Sequence, residues 1–76
     1  MASRAYLLIN VHSGKETEIQ SILQGFEEVV ACDQVTGDSD LIAVVEAADY
    51  QQVLGPFLAK IRSIDGITHT TTCLVL

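Results

Sequence analysis

The segment 41–47, LIAVVEA, carries apolar side chains at odd and even positions alike. A run this short reads as a β-strand, and a strand with that pattern needs cover on both of its faces. Residues 5–12, AYLLINVH, read as a strand of similar kind. They put Ala5, Leu7, Ile9 and Val11 on one face, with Tyr6, Leu8, Asn10 and His12 on the other. The chain has 76 residues, 49% apolar and 18% charged, so that demand is hard to meet within one copy. A chain of this length hides only about 60% of its unfolded surface when it folds alone. The remaining apolar surface is expected to be covered by a second copy, as a homodimer.

The rest of the chain alternates between the two periodicities. Ser13-Gly14 breaks the first strand, and Ser13 followed by Glu16 has capping-box spacing. Ile19, Ile22, Leu23 and Phe26 then recur at i, i+3, i+4, i+7, one face of a helix that Gly25 is expected to end at a positive φ. Glu16 and Glu18 fall in its first turns, where the helix dipole favours acids. Residues 29–35, VVACDQV, read as a second strand, joined to the third by so short a link that the two must be an antiparallel hairpin. Asp49 is placed to cap a second helix, with Val53, Leu54, Phe57, Leu58, Ile61 and Ile64 on its apolar side. Gly55-Pro56 conflicts with that helix, because a proline loses one backbone hydrogen bond and strikes the preceding turn, at about 3 kcal/mol. A kink is expected there, or a helix that starts nearer Leu54. Asp65-Gly66 closes the helix, and residues 67–76, ITHTTTCLVL, form a last β-branched strand.

The resulting order is β-α-β-β-α-β, an α+β chain expected to form one domain over residues 1–76. Two right-handed crossovers and one hairpin point to the ferredoxin-like sandwich, a four-stranded antiparallel sheet in the order 4-1-3-2 with two helices on one face. Cys32 and Cys73 then lie on opposite edge strands, three strand spacings of about 4.8 Å apart, beyond the reach of a disulfide.

Ten acids against four bases (Arg4, Lys15, Lys60, Arg62) give a formal net charge of −6. Nucleic-acid binding draws its affinity from a basic face, and four dispersed bases do not make one. The same balance disfavours an anionic membrane surface. No apolar run approaches the roughly 20 residues that span a bilayer, and the first residues lack a signal-peptide pattern, so a cytoplasmic location is expected. Two cysteines without CxxC spacing fit that compartment.

Chemistry-bearing residues are few. Asp38 and Asp40 flank Ser39 after Thr36-Gly37, in the sequence VTGDSDL. These residues suit a turn, in which Asp and Ser bond local N–H groups and glycine takes a positive φ. They equally suit a small-ligand loop, in which glycine admits close approach to the backbone and a carboxylate takes an ammonium. Two carboxylates without further ligands at calcium-loop spacing make a poor metal site. His12 and His69, on neighbouring strands, lack the third ligand or positioned acid that a metal or catalytic site needs. Thr70 and Thr72 share one face of the last strand, where strand propensity explains them as well as carboxylate binding does. No cofactor is expected.

Taken together, AYLLINV, GKE, VTGDSDLIAVVEAAD, KIRSIDGI and the closing TTTCLVL resemble the effector-binding domain of the leucine-responsive and asparagine regulator family (Lrp/AsnC), also called the regulation-of-amino-acid-metabolism domain. The resemblance covers nearly the whole chain. It implies a ferredoxin-like fold, dimers joined through their sheets, assembly to octamers, and an amino acid bound in clefts between dimers. It places ligand-binding residues at Thr36, Gly37, Asp38, Ser39 and Asp40, and at Thr70 and Thr72. Family members carry an N-terminal helix-turn-helix for which 76 residues leave no room, so the chain looks like a stand-alone effector domain. The function expected is an amino-acid sensor without catalytic activity, acting through its own assembly or with full-length Lrp/AsnC regulators. The alternatives are a small dimeric enzyme of the cofactor-free monooxygenase type, with an enclosed hollow lined by His12, His69, Tyr6 or Tyr50, and a ligand-free structural adaptor.

Overall fold

The computed structural model describes residues 3–76. Their elements are β1 (Ser3–Val11), α1 (Glu16–Gln24), β2 (Val29–Gln34), β3 (Leu41–Ala47), α2 (Tyr50–Gln52), a π turn (Val53–Phe57), α3 (Leu58–Arg62) and β4 (Ile67–Leu74). The sheet is antiparallel throughout, in the order β2-β3-β1-β4. This is the ferredoxin-like sandwich that the order of apolar segments implies.

Strand alternation decides the core. Ala5, Leu7, Ile9 and Val11 of β1 and Leu41, Ala43 and Val45 of β3 are buried, together with Ile19 and Leu23 of α1 and Val53, Phe57, Leu58 and Ile61 of the second helical run. The space between sheet and helices is the place where an enzyme of the monooxygenase type would keep its hollow. Here Phe57, Leu7, Ile9, Ile19, Leu23, Leu41 and Ile61, each at most 1% exposed, occupy it. Tyr6, His12, Tyr50 and His69 are all exposed instead.

The proline conflict is resolved by a widened turn. Asp49 caps the run, its Oδ1 accepting from the Gln52 N–H at 2.9 Å, so the helix begins at Tyr50 rather than near Leu54. Through Pro56 the chain opens into a π turn, in which the Leu58 N–H reaches the Val53 carbonyl five residues back. The extra residue gives the pyrrolidine ring space that an α turn lacks. It also shifts the phase of the apolar stripe. Val53 and Phe57 go inward, while Leu54, expected inside, is 51% exposed.

Two further local readings differ. Ser13 does not cap α1; the N-cap position is Lys15, and only Glu16 takes part, its Oε1 accepting from the Gly14 N–H at 3.1 Å. A positive φ of 91° at Gly14 turns the chain between strand and helix and leaves Ser13 outside the first turn. Gly25 does end α1, but with φ −81°, in the right-handed region. Ile22, on the flank of the apolar stripe, is 40% exposed.

Cys32 lies buried on β2 and Cys73 exposed on β4, both as free thiols on opposite edge strands. Burial, with Asp33 adding a smaller effect, pushes the Cys32 thiol up to about 11. On the helix-free face of the sheet, Tyr6 registers with Val44 and Cys73, and Leu8 with Ile42 and Thr71. No helix among the described residues is long and apolar enough to cross a membrane.

Candidate functional site

The hairpin 35–40 is fastened to the end of β1 by three hydrogen bonds. The Asp40 N–H donates to the Ile9 carbonyl at 2.9 Å, and the Asp40 Oδ2 accepts from the Val11 N–H at 2.9 Å. The Asn10 side-chain amide donates to the Asp38 carbonyl, also at 2.9 Å. Asp40 is therefore committed to the framework. Its carboxylate answers a backbone donor at the point where β1 slips out of register with β4, between Asn10 and Val11.

Gly37 sits at φ 105°, with nothing within 4 Å of where a Cβ would be. Its backbone is open, and the glycine is required by conformation rather than by crowding. Thr36, Gly37 and Asp38 are exposed, while Ser39 is half-buried. Among the described residues the carboxylates of Asp33 and Asp38 and the hydroxyls of Thr36 and Ser39 have no hydrogen-bond partner, so the loop presents Asp38 as its free acid. The question of turn or ligand loop thus divides residue by residue. Asp40 does structural work, and Asp38 is left available.

Replacing Asp40 by Ala is expected to leave the part-buried Val11 donor unanswered and to lower stability by about 1–3 kcal/mol. Asp40→Asn, which keeps an acceptor oxygen, is expected to lose less. Urea unfolding of both variants checks this.

Thr70 and Thr72 are half-buried on β4, opposite Ile9 and Leu7, on the side of the sheet that carries the helices. Thr70 shares a row with Leu41, since both register with Ile9. Loop and Thr70 therefore lie at one end of the sheet, on either side of β1, about two strand spacings of 4.8 Å apart. Thr72 is one row further from the loop. Within one copy the fold does not gather the seven residues around one cavity.

Against this geometry, the Lrp/AsnC ligand binding domain model matches residues 4–76. The chain belongs to the Lrp/AsnC ligand-binding domain family. HTH-type transcriptional regulator FL11 of Pyrococcus furiosus is 35% identical over 72 residues, which are 95% of this chain and 47% of FL11. The chain thus spans about half the length of that curated relative. Homocitrate synthase of Sulfurisphaera tokodaii is 34% identical over 67 residues, 88% of this chain but only 14% of the synthase. Among solved structures, hypothetical protein PHS023 from Pyrococcus horikoshii superposes with a TM-score of 0.90 at 30% identity, covering 100% of this chain and 90% of that one.

One feature of this Lrp/AsnC domain lies outside the sequence reading. Arg62, at the end of α3, lines an open hollow of about 260 Å³ together with Ile67, Thr68, His69 and Thr70. The other three bases are paired: Arg4 with Glu46, Lys15 with Glu18 and Lys60 with Glu28. The Lys60 ammonium, at 2.8 Å, holds the Glu28 carboxyl below the usual carboxylate range. The only sequence signal for Arg62 was the scarcity of bases. Asp65, three residues on, looks like a helical partner, but the helix ends at Arg62 and the two form no ion pair.

Proposed function

We propose that this chain is a cytoplasmic amino-acid sensor module without catalytic activity of its own. It binds a small α-amino acid between dimers joined back to back through their sheets, and the ligand controls higher assembly, to octamers or with full-length Lrp/AsnC regulators. The observation that carries this reading is the division of labour in the loop. Asp40 clamps it to β1, which leaves the Asp38 carboxylate and the open backbone at Gly37 facing outward from a fixed support. In that arrangement Asp38 takes the ligand's ammonium. The backbone N–H groups near Gly37 and the hydroxyls of Thr70 and Thr72 serve its carboxylate, with Thr36 and Ser39 at the margin.

The spacing of these groups supports a site shared between copies. An α-amino acid carries both charges on one carbon, so its partners must lie within a few ångströms of each other. In one copy the loop and Thr70 flank β1. A neighbour's loop brought against β4 would close that gap. A ligand held by two dimers stabilises their contact by as much as it prefers the assembled state. The range of relatives also favours a portable module, since similar segments form part of a transcriptional regulator and a small part of a homocitrate synthase.

Calorimetry and sedimentation with each of the twenty amino acids test the reading. One chemical class is expected to bind at millimolar concentration or below and to shift the population from dimers to larger species. No binding by any of them removes the ligand half of the proposal.

A further inference from the structure

Resting on that reading, we infer that Arg62 and Thr68 join Thr70 in the seat for the carboxylate of the small ligand, adding a guanidinium and a hydroxyl to the groups named above. Three observations converge on it. In a chain of net charge −6, Arg62 alone among the four Lys and Arg residues forms no ion pair among the described residues. It lines a hollow whose other walls are Ile67, Thr68, His69 and Thr70, so a guanidinium and two hydroxyl-bearing residues border one space. The backbone there departs from regular pairing. Asn10 registers with His69 and Val11 with Ile67, which leaves Thr68 unopposed in a β-bulge. A bulge re-aims a side chain that regular pairing would hold in line.

A guanidinium fork matches a carboxylate with two parallel hydrogen bonds, and hydroxyls beside it can donate further ones. The hollow, about 260 Å³ and open, falls just below the roughly 300–1,000 Å³ of drug-sized pockets. It suits the carboxylate end of a metabolite of a few heavy atoms. The hollow also lies at the sheet end where Asp40 fixes the loop to Val11, so the seat and the loop share one support through β1.

The test separates this seat from the wider sensor reading by using ligands that carry only one of the two charges. Pyruvate and inorganic phosphate supply an anion without an ammonium, and leucinamide supplies an ammonium without a carboxylate. In ¹H–¹⁵N spectra of the whole chain, pyruvate is expected to shift the Arg62 side-chain Nε–H and the Thr68 and Thr70 amides, and leucinamide to leave them unmoved. Arg62→Gln is expected to weaken pyruvate binding at least about tenfold, and Arg62→Lys, which keeps the charge but loses the fork, by less. Arg62 is exposed at a helix end, so both variants should keep the parent spectrum elsewhere. Pyruvate shifts that persist unchanged in Arg62→Gln overturn the seat. So does an Arg62→Gln variant that changes sedimentation while pyruvate moves nothing, because Arg62 then pairs with an acid of a neighbouring copy. Pyruvate bound through Arg62 with no amino acid bound would keep the seat and sink the amino-acid sensor. Amino acids bound equally well by Arg62→Gln would do the reverse.

Discussion

Phe57→Ala is expected to lower the unfolding free energy by about 3–5 kcal/mol, the loss seen when a buried aromatic ring is cut back to a methyl group. Phe57 heads the set of large side chains that are fully buried, at 1% exposure. Its ring meets Phe26 edge to face, with centroids 6.2 Å apart and planes at 86°, a contact that adds to plain area burial. It also belongs to the π turn, so its position in the core depends on how the chain passes Pro56. The sheet cannot readily close over the vacancy, because Leu7, Ile9 and Leu41 of the same core are held in place by strand pairing. At about 0.05–0.15 kcal/mol per residue, a chain of 76 residues has a margin of only about 4–11 kcal/mol. The substitution therefore removes about a quarter of the stability or more. Urea unfolding at fixed protein concentration measures it, since the proposed dimer would couple apparent stability to concentration. A loss below about 1 kcal/mol would mean that Phe57 does not fill the core in this way.

The strands were legible because their signal is local. The pattern in 5–12 puts Ala5, Leu7, Ile9 and Val11 on one face, which is the buried one, whereas 41–47 is apolar on both faces and only its register with β1 turns Leu41, Ala43 and Val45 inward; the order of elements left one economical topology. The passage through Gly55-Pro56 was visible as a conflict but not as a solution. Proline states what an α turn cannot hold, whereas the choice of a π turn depends on whether Val53 and Phe57 then reach the core. Leu54 falls on the apolar side of a regular helix but outside here for the same reason, since one added residue rotates the stripe. Ser13 matched a capping pattern, but the turn at Gly14 determined which residue stands at the helix start.

The site was legible only as a set of residue types. Asp38 and Asp40 are equivalent in the sequence, and they part company because Asp40 meets a donor 29 residues away, at Val11. Arg62 does not stand out in the sequence, because what singles it out is the pairing of the other three bases. Two of those pairs, Arg4–Glu46 and Lys60–Glu28, join residues 42 and 32 positions apart.

Replacing Leu8 by Glu is expected to weaken dimerisation by at least about a thousandfold while leaving the subunit folded. The helix-free face of the sheet has an apolar centre of Tyr6, Leu8, Ile42 and Val44. At one end of it Arg4 pairs with Glu46, and at the other Asn10 registers with His69. An apolar centre within a polar rim is how protein interfaces are arranged. Leu8 is at the middle, between Ile42 on β3 and Thr71 on β4. In a two-fold dimer each residue of the contact occurs twice, so the substitution introduces two carboxylates. An uncompensated charge in such a place costs about 3–5 kcal/mol, and each 1.4 kcal/mol is tenfold in the dissociation constant. In the separated subunit the same carboxylate faces water, so the far-ultraviolet circular dichroism should be unchanged. Cys73 gives an independent readout, because it registers with Tyr6 on this face and is exposed in the single chain. It should react slowly with a thiol reagent in the parent dimer and quickly in Leu8→Glu. Cys32, buried and with its thiol pushed up to about 11, should stay silent in both. A parent protein that sediments as a monomer at micromolar concentration, with Cys73 already reacting fast, would show that this face is solvated and would remove the dimers on which a site between dimers depends.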